Sequence, residues 1–207
     1  MQKYFIYLLV GIVIVICVYG LYLYFHSSHP VRNYPSPGTD IIAFGDSLVE
    51  GVGATPGHDL VSLLSKEIGA PIVNLGRSGD TTADGLARIS ELDSYKPKVV
   101  ILILGGNDYL AKKSMPEAFE RLGKIIEQIQ ARGAIVLLVG IRLSLVVGNF
   151  DAQYRELERK YQTAYVPDVL DGFYGKLQYM SDNIHPNDAG YAIIASRIAP
   201  TLQKLIR

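Results

Sequence analysis

Ser47 stands in Gly45-Asp46-Ser47-Leu48, and toward the other end of the chain Asp182 and His185 are three residues apart in Asp182-Asn183-Ile184-His185-Pro186. Between them lie Ser78-Gly79-Asp80-Thr81 and Gly105-Gly106-Asn107-Asp108. These four stretches hold the groups that acyl transfer needs: a hydroxyl nucleophile, an imidazole base, a carboxylate to orient it, and neutral donors for an oxyanion. A Ser-His-Asp esterase is the chemistry they point to.

Each residue also has an ordinary structural reading. A serine after Gly-Asp serves as a turn or helix N-cap residue, Gly79 as a site of positive φ, and Asn107 as a turn former. Asp182 and His185 can be a loop carboxylate and a helix-flanking imidazole. Their spacing favours the catalytic reading, because one turn can place the carboxylate on one ring nitrogen and leave the other facing a hydroxyl. Asp168 and Asp171 have no histidine at that distance, and His58 falls in a loop close to the helix of Leu60. Val49 stands where a Gly-x-Ser-x-Gly elbow needs its last glycine, which disfavours the α/β-hydrolase fold.

The elements that must carry these residues are legible as an alternation. Ile41 to Phe44, Pro71 to Leu75, Val99 to Leu104 and Ile135 to Gly140 are compact apolar runs of strand length, apolar enough to be covered on both faces. Leu60, Leu63, Leu64 and Ile68 share a helix face, as do Leu86, Ile89 and Leu92, and Phe119, Leu122, Ile125, Ile126 and Ile129. Thr81 or Thr82 is expected to cap the helix of Leu86, and Asp188 the last helix. The economical architecture is α/β, a parallel sheet between helices, with Ser47, Gly79 and Asn107 just past the carboxyl ends of successive strands.

The four blocks, in this order, resemble the SGNH or GDSL hydrolase superfamily, named for a Ser, a Gly, an Asn and a His in separate blocks. Asn74 to Thr81, Ile141-Arg142-Leu143 and Ile184-His185-Pro186-Asn187 are similar to its bacterial multifunctional thioesterase, arylesterase and lysophospholipase branch. The resemblance runs from Ile41 to the C-terminus. It implies a three-layer, flavodoxin-like α/β/α sandwich with a mostly parallel sheet, and no metal or organic cofactor. It also implies Ser47 as nucleophile, Asp182 and His185 as the rest of a triad, and the Ser47 N–H, the Gly79 N–H and the Asn107 side chain as oxyanion hole.

The segment from Tyr4 to Phe25 contains no charged residue, and about 22 helical residues reach roughly 33 Å, enough to cross a bilayer core. Aromatic residues gather at both of its ends, as headgroup anchors do. Residues 1–25 are therefore expected to form one uncleaved transmembrane anchor, residues 26–39 a Pro/Ser/Asn-rich linker, and residues 40–207 the hydrolase domain. Lys3 biases the N-terminal end toward the cytoplasm, leaving the domain on the periplasmic or extracytoplasmic side, or released there if the segment is a cleaved signal. Cys17, the one cysteine, reads as an inert membrane-buried thiol, and His26 and His29 lack a third metal ligand.

Acidic and basic residues balance at 20 each and no basic stripe occurs, which disfavours a nucleic-acid partner. The expected substrate is an acyl ester or thioester. Tyr109, Leu110, Leu143, Leu145, Val146 and Val147 follow site motifs and are candidates for an apolar acyl groove, with packing under a loop as the other reading. Two further readings are a carbohydrate O-deacetylase of the cell envelope and, from a different class, a membrane-tethered binding module without catalysis.

Overall fold

The structure, a computed structural model, describes residues 30–142 and 150–207 together with Ile12, Val15 and Tyr19. The expected anchor (1–25) and groove residues Leu143, Leu145, Val146 and Val147 lie outside the described residues, apart from those three positions. Among the described residues no helix is long and apolar enough to cross a membrane.

Five strands form one sheet in the order β2-β1-β3-β4-β5: β1 Asp40–Gly45, β2 Ile72–Gly76, β3 Pro97–Ile103, β4 Ile135–Val139 and β5 Ala164–Val166. Every pairing is parallel, with Ile41 beside both Ile72 and Val99, and Val99 beside Ile135. Ile42, Ala43 and Phe44 in β1 and Val99 to Ile103 in β3 are fully buried, because helices cover both faces of these central strands. β2, at an edge, buries Ile72 and exposes Asn74.

On one face α2 (Leu60–Ile68) packs against α7 (Asp188–Ile206). On the other, α3 (Thr82–Ala87), α5 (Met115–Ala131) and α6 (Phe150–Tyr161) pack in sequence. Two single-turn helices, α1 (Ser47–Glu50) and α4 (Gly106–Leu110), lie at the carboxyl ends of β1 and β3. This is the expected α/β architecture around a parallel sheet. Sequence reading missed β5, which is only three residues long, and α6, whose buried Phe150, Tyr154, Leu157 and Tyr161 do keep helical spacing.

Caps follow the expected chemistry with one correction. Thr81 and Asp84 form a capping box at the start of α3. At α7, however, the cap is Asn187, whose Oδ1 accepts from the N–H groups of Ala189 and Gly190 at 3.0 and 3.1 Å. Asp188 instead accepts from the Thr55 N–H and hydroxyl, both at 2.7 Å, so a long-range pair has overridden its capping tendency.

The linker expected over 26–39 also needs correction. From Val31 onward the chain belongs to the compact unit Val31–Arg207 and runs across the sheet's N-terminal edge. Arg32 N–H donates to Gln162 O, Asn33 Nδ2 to Gln130 O and Ala134 O, Ser36 Oγ to Gly133 O, and Thr39 N–H to Lys96 O, all at 2.8–2.9 Å. Its prolines rule out regular structure, yet its Asn33 and Ser36 side chains satisfy carbonyls that precede β4, and its backbone N–H groups those that precede β3 and β5.

Candidate active site

Ser47 is the first residue of α1, immediately after β1. Gly45 makes this close turn possible, since a Cβ there would lie 2.2 Å from Ile103 O on the neighbouring strand. Asp46 caps the turn, its Oδ1 accepting from Leu48 N–H at 3.0 Å. Burial pushes the Asp46 carboxyl up to about 7, with the Leu48 hydrogen bond opposing the shift. Behind the serine, the Tyr191 hydroxyl donates to Val52 O at 2.8 Å and reaches Ser47 O at 3.4 Å.

His185 enters from the loop before α7. Its Nε2 lies 3.1 Å from Ser47 Oγ and its Nδ1 2.8 Å from Asp182 Oδ2. The other Asp182 oxygen accepts from the N–H groups of Ile184 and His185, each at 2.7 Å. The imidazole hydrogen bond, reinforced by those two backbone donors, holds the Asp182 carboxyl down to about 2. Asp182 is thus an anion at neutral pH, although 54% of its side chain is exposed and water screens it. With Nδ1–H donated to Asp182, Nε2 carries the lone pair that faces the Ser47 hydroxyl.

Gly79 and Asn107 come from the two neighbouring strand ends. Gly79 has φ +86, and its N–H has no protein partner among the described residues. Asn107 donates one amide hydrogen to Asp80 O at 2.9 Å, which leaves the second for a ligand. Asp108, fully buried, accepts from the Thr82 N–H and hydroxyl at 2.7 and 2.9 Å and so ties the Gly79 turn to α4. The Ser47 N–H, first in its helix, has no intrahelical acceptor.

A cleft opens beside Ser47 and Asn107, with Leu48, Leu110, Ile141, Leu170 and Ile184 supplying its apolar wall. Leu110, one of the expected groove residues, lines this cleft. Tyr109 packs edge-on against Phe150 with ring centroids 5.5 Å apart, part of an adjacent aromatic cluster. Sequence reading missed Leu48, Ile141, Leu170 and Ile184. Leu48, Ile141 and Ile184 sit inside the quoted motifs and could have been found there, whereas Leu170 reaches the cleft only through the tertiary fold.

The other titratable candidates are placed elsewhere. His58 Nδ1 contacts the Thr55 hydroxyl at 3.1 Å and lies 4.0 Å from Asp188. Asp168 and Asp171 both pair with Arg142 at 3.1 Å. Among the described residues no three His, Cys, Asp or Glu side chains are grouped to hold a metal ion.

Residues 43–193 match the GDSL-like Lipase/Acylhydrolase family. The chain is 33% identical over 178 residues to Esterase TesA of Pseudomonas aeruginosa, covering 80% of this chain and 89% of that one. It is 32% identical over 175 residues to Thioesterase 1/protease 1/lysophospholipase L1 of Escherichia coli, covering 80% and 84%. The crystal structure of TesA superposes with a TM-score of 0.76 at 33% identity, covering 81% of this chain and 99% of that one. Sequence and fold agree, and the chain belongs to the GDSL-like lipase/acylhydrolase family.

Proposed function

We propose that this chain hydrolyses carboxylic esters and thioesters through an acyl-enzyme on Ser47. The observation that carries the reading is the continuous hydrogen-bonded line from Asp182 through His185 to Ser47 Oγ. His185 Nε2 takes the hydroxyl proton as Oγ bonds to the substrate carbonyl carbon. The negative charge formed on the carbonyl oxygen is received by the N–H groups of Ser47 and Gly79 and the Asn107 amide. Collapse breaks the carbon–oxygen or carbon–sulfur bond, and the imidazolium returns its proton to the leaving group. Water then repeats the attack on the acyl-enzyme, its proton passing by Nε2 back to Ser47 Oγ. Asp182 stabilises the transient imidazolium throughout.

The esterase, thioesterase and lysophospholipase names of the relatives support an acyl substrate. The aliphatic wall of the cleft supports an apolar acyl group, and an anchored enzyme that meets fatty acyl esters at a membrane surface favours a medium or long chain over acetyl. Residues 4–25 are proposed to anchor the chain in a membrane with the hydrolase on the extracytoplasmic side; the intact mass of membrane-extracted protein tests whether they are retained.

Steady-state assays with p-nitrophenyl acetate and octanoate, on the wild type and on Ser47→Ala, test the reading. The expected result is octanoate preferred in kcat/KM by the wild type, and loss of both activities in Ser47→Ala. Acetate hydrolysed far better would remove the acyl-groove assignment, and an active Ser47→Ala would remove the mechanism.

A further inference from the structure

Arg88, just after α3, is a buried cation for which the acyl-transfer steps have no use; it is only 8% exposed. Four of its five N–H donors are engaged, as a buried guanidinium requires. Nε donates to Asp80 Oδ2 at 2.5 Å, Nη1 to Glu91 at 3.2 Å, and Nη2 to both Gly45 O at 2.9 Å and Leu75 O at 3.1 Å. The guanidinium carbon lies 4.1 Å above the Phe44 ring.

These partners are not scattered. Gly45 is the last residue of β1 and Leu75 the last but one of the adjacent β2, strands that lead to Ser47 and to Gly79 respectively. Asp80 follows Gly79, and its carbonyl is the acceptor that orients the Asn107 amide. The same turn is closed by Asp80 N–H donating to Arg77 O at 3.1 Å, and Arg77 N–H in turn donates to Gly45 O at 3.0 Å. One rigid fork therefore links the nucleophile's strand, the turn of the glycine donor and the residue that holds the asparagine donor.

We propose that Arg88 is a positioning residue for the oxyanion hole, acting through Asp80 to fix the Gly79 N–H and the Asn107 amide relative to Ser47. This rests on the acyl-enzyme reading above. Lysine cannot replace it, because a single ammonium cannot span Asp80 and two strand carbonyls with fixed geometry.

The test is steady-state kinetics of Arg88→Lys and of Asp80→Asn, which keeps the side-chain shape and the Asp80 carbonyl. Each is measured alone and in an Asn107→Ala background, with Ser47→Ala alongside. Arg88→Lys is expected to lower kcat by about 10- to 100-fold, with KM changed by no more than about threefold. Asp80→Asn lowers kcat in the same sense by a smaller factor. In the Asn107→Ala background the loss caused by either change shrinks at least about threefold, since part of what they position is already gone. Wild-type kcat in both variants, or the same fold-loss with and without Asn107, would overturn the proposal. An inactive Ser47→Ala beside a fully active Arg88→Lys removes only the positioning role, whereas an active Ser47→Ala removes the acyl-enzyme reading itself.

Discussion

The two edges of the sheet use polar groups in opposite ways. Along the N-terminal edge the segment Val31–Thr39 matches donors to acceptors: Asn33 serves two carbonyls, Ser36 a third, and the backbone of Arg32 and Thr39 two more. Exceptions are Gln130 Oε1 and Thr163 Oγ1, buried without a protein partner among the described residues. Along the C-terminal edge, groups are held in place but left partly unused. Asn107 keeps one amide hydrogen, the Gly79 N–H has no protein partner among the described residues, and Asp46 is a carboxyl buried beside the nucleophile. Satisfaction stabilises one edge, and unfilled capacity makes the other reactive.

Substitutions at the two edges should therefore separate activity from stability. Asn107→Ala is expected to lower kcat by about 10²- to 10³-fold, roughly 3–4 kcal/mol of barrier, with little change in melting temperature; kinetics and a thermal melt on one sample check both. A large loss of stability would break the contrast.

Asp46→Asn should show that the reactive edge costs stability. The native state keeps a proton on Asp46 up to about pH 7. The unfolded chain releases it near pH 3.9, so the wild type loses stability as pH rises across that window. The amide has no such loss and still accepts from Leu48 N–H. Denaturant titrations should show the variant more stable at pH 7 by about 1–3 kcal/mol, with the advantage disappearing toward pH 4. An advantage independent of pH would contradict this account.

At the opposite edge, Asn33→Ala should destabilise by about 2–3 kcal/mol, through two lost hydrogen bonds and the left-handed backbone that asparagine tolerates. Residue 33 has φ 64, so Asn33→Gly keeps that conformation and should cost less. Ser36→Ala should cost about 1 kcal/mol. None of the three should alter kcat, and a change there would show that the edges are coupled.

What the sequence disclosed follows the range of the interactions. Strands β1 to β4 and the four blocks were legible because each is a local pattern whose meaning depends on few neighbours. Asp182 and His185 stood out for the same reason, since three residues suffice to align carboxylate and imidazole. The roles of Asn33 and Ser36 were hidden, because their partners are about 100 residues away in sequence and a Pro/Ser/Asn run carries no trace of them. Asp188 misled for the same reason: its local tendency to cap lost to Thr55, 133 positions distant. Arg88 was invisible until the ends of β1 and β2 were seen side by side.

Labelling with a fluorophosphonate probe, followed by mass spectrometry of the peptides, tests the central claim most directly. One adduct on Ser47 is predicted, absent in Ser47→Ala and formed much more slowly in His185→Ala. A stable adduct on another residue, or undiminished labelling of Ser47→Ala, would contradict it.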